Sequence, residues 1–224
     1  MPDKPRVKAP RQRAGSSADG AKRPPVLAVA VATAGLVAGI VAVLVIIGLA
    51  GGGEDFTDRE ASARAALEAA GCTLQVEEAL PGQHSIADPG DVSDEWNTDP
   101  PTSGPHYAIA AIFGIYEEPL EVARVVHNLE HGGVFIAYGP DVAGGTVEQL
   151  RAFYNANKTG TIMAPYEKLG DEFALGAWVT EGEDGNGYLA KCAEFEEAPA
   201  SAFLAAFQFR GPERFDPSQL QPGL

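Results

Sequence analysis

The chain is poor in cysteine, methionine and tryptophan, with two of each among 224 residues, and it has only four histidines. Basic residues are scarce too, 16 Lys and Arg against 31 Asp and Glu. Seven of the basic residues lie in the first 25 positions, opposed there only by Asp3 and Asp19, so residues 51–224 keep 9 basic and 29 acidic side chains. A charge near −20 repels phosphate backbones and anionic lipid. It excludes nucleic-acid binding and leaves a metal cation or a basic protein as compatible partners. The same acidity also serves the solubility of an exported surface.

Residues 1–25 contain no aromatic side chain and are rich in Pro, Lys, Arg, Ala, Ser and Gly. Such a segment buries too little apolar surface to fold alone and reads as a disordered basic tail. Residues 26–50 contain no charge at all and consist mainly of Val, Ala, Leu, Ile and Gly. At about 1.5 Å of rise per residue they cover a hydrocarbon core of about 30 Å, the length of a membrane-spanning helix. The basic flank upstream and Glu54-Asp55 downstream place the N-terminus in the cytoplasm. The expected location is therefore the cell membrane, single-pass, with the C-terminal domain extracytoplasmic. A cleaved signal peptide ending at Gly48-Leu49-Ala50 is the alternative, although secretory apolar regions run to about 7–15 residues. No cysteine stands close enough to form a lipoprotein box. On either reading residues 54–224 lie outside the cytoplasm.

Residues 51–224 are of a size for one globular domain, and they hold no internal repeat. Cys72 and Cys192 sit near its two ends on the oxidising side, which predicts a disulfide between them. Free thiol metal ligands are the alternative. Thr57-Asp58-Arg59-Glu60 fits a capping box for a helix that Gly71 stops, and 72–76 reads as a strand. An irregular stretch runs from Pro81 to His106, rich in Asp, Pro and Gly; its aspartates do not match the spacing of an EF-hand calcium loop. Val134–Tyr138, Thr161–Ala164 and Phe173–Thr180 read as strands, and Thr146 opens a helix to about Asn157 with a second capping-box pattern. Asp184-Gly185-Asn186-Gly187 predicts a hairpin turn with 188–195 returning antiparallel, and 200–209 closes the domain as a helix. This alternation predicts an α+β fold, a small mixed or antiparallel sheet with flanking helices.

All four histidines fall between positions 84 and 131. From Leu120 to His131 the residues Val122, Val125, Val126 and Leu129 follow the spacing of an amphipathic helix. Taking Val122 as zero, His127 and His131 point about 140° and 180° around that helix, away from the apolar stripe. Four residues are one helical turn, so both imidazoles share a face, as ligands to one metal ion do. His106 follows the rigid run Pro100-Pro101-Thr102-Ser103-Gly104-Pro105, and His84 lies earlier still.

The segments Pro100–Tyr107 and His127-Asn128-Leu129-Glu130-His131-Gly132-Gly133-Val134, with Ile136 and Tyr138, resemble an uncharacterised bacterial family, domain of unknown function 3105. The resemblance extends over roughly residues 56–215 and implies a single N-terminal span with an exported domain. It implies no activity.

Three functions fit the motifs. The first is a transition-metal site, copper or zinc, at His106, His127 and His131, completed by His84 or by the thioether of Met163, which would favour reduced copper. Glu130 or Asp99 would then accept the second ring proton of a ligand histidine. The second is a non-catalytic interaction module in which the histidines are structural. The third takes His127-Asn128-Leu129-Glu130-His131 as the H-x-x-E-H pattern of zinc peptidases, with Glu130 activating water. No third ligand announces itself for that reading among Glu148, Glu167 and Glu172.

Overall fold

The computed structural model describes residues 55–85, 95–181 and 184–224, where four α-helices flank a five-stranded sheet and a two-stranded sheet stands apart. The expected basic tail and the expected span at residues 26–50 lie outside the described residues, as do residues 86–94 of the aspartate-rich stretch. Among the described residues no helix is long and apolar enough to cross a membrane.

The chain enters through helix α1 (Phe56–Ala69), capped by Asp55, whose carboxylate accepts the Asp58 amide at 3.0 Å. The cap is thus two residues earlier than the Thr57 pattern indicated. Strand β1 (Thr73–Glu78) follows, then two two-residue strands, β2 (His84–Ser85) and β3 (His106–Tyr107), which pair in parallel with His84 beside His106. Helix α2 (Val122–Glu130) leads into β4 (Val134–Tyr138), α3 (Gly144–Ala156), β5 (Thr161–Pro165), the β6 (Phe173–Glu181) and β7 (Asp184–Cys192) hairpin, and α4 (Glu197–Phe207).

The sheet order is β1-β7-β6-β4-β5. All neighbours are antiparallel except β4 and β5, which run parallel across the α3 crossover, so the sheet is mixed. In the hairpin Glu181 pairs with Asp184, so Asp184–Gly187 belongs to β7 rather than forming the turn. Helix α3 begins without a side-chain cap, unlike the Thr146 pattern. Every residue of the interior strand β4 is buried, as a strand covered on both faces requires.

Each face of the sheet carries its own apolar layer. Ile136, Met163, Leu175 and Tyr188 meet Leu67 of α1, Leu150 of α3 and Phe203 and Phe207 of α4. On the opposite face Phe135, Ile162, Trp178 and Leu189 meet Val125, Val126 and Leu129 of α2. That second face has one short helix, and Ala111, Phe113, Leu169 and Leu220 from irregular or 3-10 segments join its layer. Thr102 lies against the glycines at 176 and 187, and at Gly187 a Cβ would collide with its hydroxyl. Cys72 and Cys192 are joined across β1 and β7, closing a separation of 120 residues, with their Cα atoms 4.4 Å apart. All these parts belong to one compact unit, Gly53–Leu224.

Candidate metal centre

Helix α2 has nine residues, and its polar side is covered as well as its apolar side: His127, Asn128 and Glu130 are all buried. Val125, Val126 and Leu129, fully buried, offset that cost by about 1.5–3 kcal/mol each. Asn128 is satisfied by two hydrogen bonds to the backbone of Ala111. The helix ends at His131, and Gly132, at φ +91°, turns the chain into β4. No side chain fits there, because a Cβ would come within 2.9 Å of the Phe209 backbone.

The covering strap holds His106 in a fixed orientation. Ser103 accepts the Leu80 amide at 3.0 Å, Trp96 donates to the Pro105 carbonyl at 3.1 Å, and the His106 amide donates to the Gln83 carbonyl at 3.0 Å. Gly104, at φ +111°, makes the corner against Trp96 and Leu80. These bonds seat the His106 ring with no exposure, edge-on to Trp178.

Both buried histidines spend one ring nitrogen on the backbone. His106 Nδ1 donates to the Gly104 carbonyl at 2.8 Å, and His127 Nδ1 donates to the Tyr107 carbonyl at 2.7 Å. A carbonyl can only accept, so Nδ1 carries a hydrogen in both rings and Nε2 is the nitrogen left for other partners. The Nε2 atoms of His106 and His84 each lie 3.0 Å from the same oxygen, Glu130 Oε2. Ligand atoms of His84, His106, His127 and Glu130 all lie within 4.8 Å of one another. The rings of His84, His106 and His127 stand 4.8–5.0 Å apart, centroid to centroid.

Charge follows geometry. Burial pushes the Glu130 carboxyl up, but hydrogen bonds and charge from His106 and His84 outweigh it and bring it down to about 2. Burial lowers the His106 pKa; its bonds to Glu130 and to the Gly104 carbonyl more than reverse this, so it is raised. His127 is lowered, by burial first. His131 is lowered by burial and by the neighbouring His127. A proton between His106 and Glu130 thus balances the centre when no other cation does.

The arrangement differs from the sequence expectation at five residues. His84, expected as a possible completing ligand, stands in the main group. His131 stands behind His127, Nε2 to Nε2 at 3.1 Å, in a second group with Glu130 and Glu213. Glu130, expected to support a ligand from behind or to activate water, is itself among the converging donors. Met163 does not join them: alternation along β5 sends Ile162 and Ala164 toward α2 and buries Met163 in the layer on the other face. Asp99 is also elsewhere, bonded to the Tyr166 hydroxyl and 3.3 Å from Lys168.

Two contributors were not among the expected site residues. Gly82 lies against the cluster, where a Cβ would stand 2.5 Å from Glu130 Oε1 and 3.1 Å from Trp178. Its parallel with Gly104, each two residues ahead of a histidine, is the one clue the sequence offered. Glu213 lies more than 80 positions from His131, and its carboxylate reaches the ring at 3.5 Å.

The family model described as a protein of unknown function (DUF3105) matches residues 91–219, more than half of the chain, and the chain belongs to that family. The matched segment contains His106, His127, Glu130, His131 and Glu213 and begins just after His84. No curated protein and no solved structure matches the chain.

Proposed function

We propose that this member of the DUF3105 family is a single-pass membrane protein whose extracytoplasmic domain binds a transition-metal ion through His84, His106, His127 and Glu130. One observation carries the metal reading. The two buried imidazoles are each anchored through Nδ1 to a carbonyl, the Nε2 atoms of His106 and His84 meet at Glu130 Oε2, and a ring nitrogen of His127 lies within 4.8 Å of these donors. Ring N–H to backbone carbonyl is the usual support behind a metal-bound histidine. Zinc held by bonds of about 2.0–2.1 Å needs its ligands a little over 3 Å apart; His84 and His106 already stand 3.0 Å from Glu130 Oε2, and all four donors lie within 4.8 Å of one another. Three imidazoles and a carboxylate suit Zn²⁺ or Cu²⁺, and without the Met163 sulfur the donor set no longer favours reduced copper.

The membrane address is supported by the uncharged run at 26–50 and by a disulfide that suits an oxidising compartment. The H-x-x-E-H peptidase reading is not favoured, since His127 and His131 fall in different groups and Glu130 is occupied by His84 and His106. A structural role for the histidines has one observation in its favour, namely that the bonds to Glu130 close without any ion.

Metal content decides between these. The purified full-length chain, exposed to Zn²⁺ or Cu²⁺ and freed of loose ion, retains metal, whereas His106→Ala and His127→Ala retain none while keeping the circular dichroism of the parent. Equal content in all three overturns the proposal and leaves the structural role.

A further inference from the structure

We infer that a second divalent-metal position adjoins the first, held by His131 and Glu213 and sharing Glu130, so that the loaded centre is dinuclear. This rests on the metal reading above.

His131 Nε2 lies 3.1 Å from His127 Nε2 and 3.5 Å from Glu213 Oε2, and ligand atoms of Glu130, His131 and Glu213 fall within 4.8 Å of one another. His127 has one free lone pair, because its other nitrogen is bound to the Tyr107 carbonyl. That lone pair serves either a metal or the N–H of His131, never both. Loading the first position therefore releases His131 Nε2, with the Glu213 carboxylate beside it. A carboxylate has two oxygens and about four lone-pair sites, enough for Glu130 to bridge two cations. Paired catalytic metals stand about 3.5–4 Å apart, a distance that neighbouring groups sharing one carboxylate can provide.

The chain gives up conformational freedom to deliver Glu213. The Phe209 amide donates to the Gly132 carbonyl at 2.7 Å and the Glu213 amide to the Glu130 carbonyl at 3.0 Å, pinning the segment to the end of α2. Between them Gly211 lies so close to the Glu130 carbonyl and the Gly132 amide that a Cβ would collide with both. Phe209 takes φ +62°, a left-handed conformation uncommon for a bulky residue. Phe215 stacks on the His131 ring at 4.0 Å and fixes its plane.

With three protein ligands the second position keeps at least one coordination site open, as catalytic metal sites do. His131 lines a groove of about 460 Å³ with Phe113, Phe215, Ile109, Ile112 and Leu224. The last three are the exposed large hydrophobic residues of the described chain. His131 thus borders this apolar trough.

Titration of the full-length chain with Zn²⁺, followed calorimetrically and by metal analysis, is expected to give two equivalents per chain. Glu213→Gln and His131→Ala are each expected to keep the first equivalent and to bind the second at least about tenfold more weakly. With Co²⁺ the second equivalent is expected to change the electron paramagnetic resonance signal of the first through magnetic coupling, a change that both variants lose. A single equivalent in the parent chain overturns the dinuclear centre and leaves the first site standing, as do two equivalents left unchanged in both variants. No bound metal in the parent overturns both readings.

Discussion

Asn128 and Ala111 are joined as one amide to another: the Asn128 oxygen accepts the Ala111 amide at 3.0 Å, and its nitrogen donates to the Ala111 carbonyl at 2.8 Å. The pair lies one residue beyond His127 and fastens the covering loop to α2. Asn128→Ala leaves both backbone groups of Ala111 without these partners inside the domain. The expected loss is about 2–4 kcal/mol, read as a lower denaturation midpoint. Asn128→Asp is expected to be worse, because it also buries a charge. Stability unchanged in both variants would mean that the loop is held by other contacts.

Gly82→Ala tests the centre without touching a ligand. The added methyl meets Glu130 Oε1 and Trp178 and must push the carboxylate out of line. Zinc affinity should fall by about 10–100-fold, the range for disturbing groups that orient ligands, with circular dichroism retained. Gly104 requires its positive φ for the same strap, so Gly104→Ala is expected to weaken both stability and affinity.

Acid should act on the metal-free domain through Glu130. Its carboxyl ionises at about 2 in the fold against 4.5 when unfolded, so it contributes stability above pH 4.5 and loses it as pH falls from 4.5 toward 2. His106 has the opposite sign: its pKa is raised, so its contribution is complete below pH 6.5 and is lost as pH rises through the raised value. His127 and His131, both lowered, contribute above pH 6.5 and lose that contribution as pH falls from there toward their lowered values. Denaturation midpoints measured with chelator across this range should show the acid limb between pH 4.5 and 2 flattened in Glu130→Gln. Metal must displace the proton on His106, so zinc affinity should rise with pH across its titration while Glu130 stays ionised.

Reduction of Cys72–Cys192 opens a loop of 120 residues and should cost about 4–5 kcal/mol on the chain-entropy account. For a domain of this size that lowers Tm by roughly 10 °C or more, measured by calorimetry with and without reductant or in Cys72→Ser. The bridge lies between β1 and β7, and its sulfurs sit in the layer facing α1, α3 and α4, away from the histidines. Zinc affinity measured well below the lowered Tm is expected to be unchanged.

Much of the scaffold was legible because its signals are local. The strand-like apolar run Val134–Tyr138 and the spacing of Val122, Val125, Val126 and Leu129 located β4 and α2 within two residues, and the disulfide followed from having only two cysteines. The caps of α1 and α3 were misplaced because Asp55 and Ala143 stand where the backbone turns, and a Thr-x-x-Glu or Thr-x-x-Gln pattern two or three residues later looks equally good on paper. The site was legible in part. Helical spacing put His127 and His131 on one face, and the structure agrees, but spacing cannot show that a strap 20 residues upstream closes over that face. Hence His84 and Glu130 took the places expected of His131 and Met163. Strand parity decided Met163: its neighbours Ile162 and Ala164 face α2, and it does not.

The converging donors come from stretches around positions 84, 106 and 127–130, and only the last lies on a regular helix. An ion at their meeting point would act as a cross-link between segments otherwise fastened by a few hydrogen bonds. Hydrogen exchange in residues 79–107 should then be slower in the loaded protein than in the empty one, with the sheet little changed. Loss of metal would first be felt as loosening of that cover rather than as unfolding, so occupancy could be signalled to whatever rests on the outer surface.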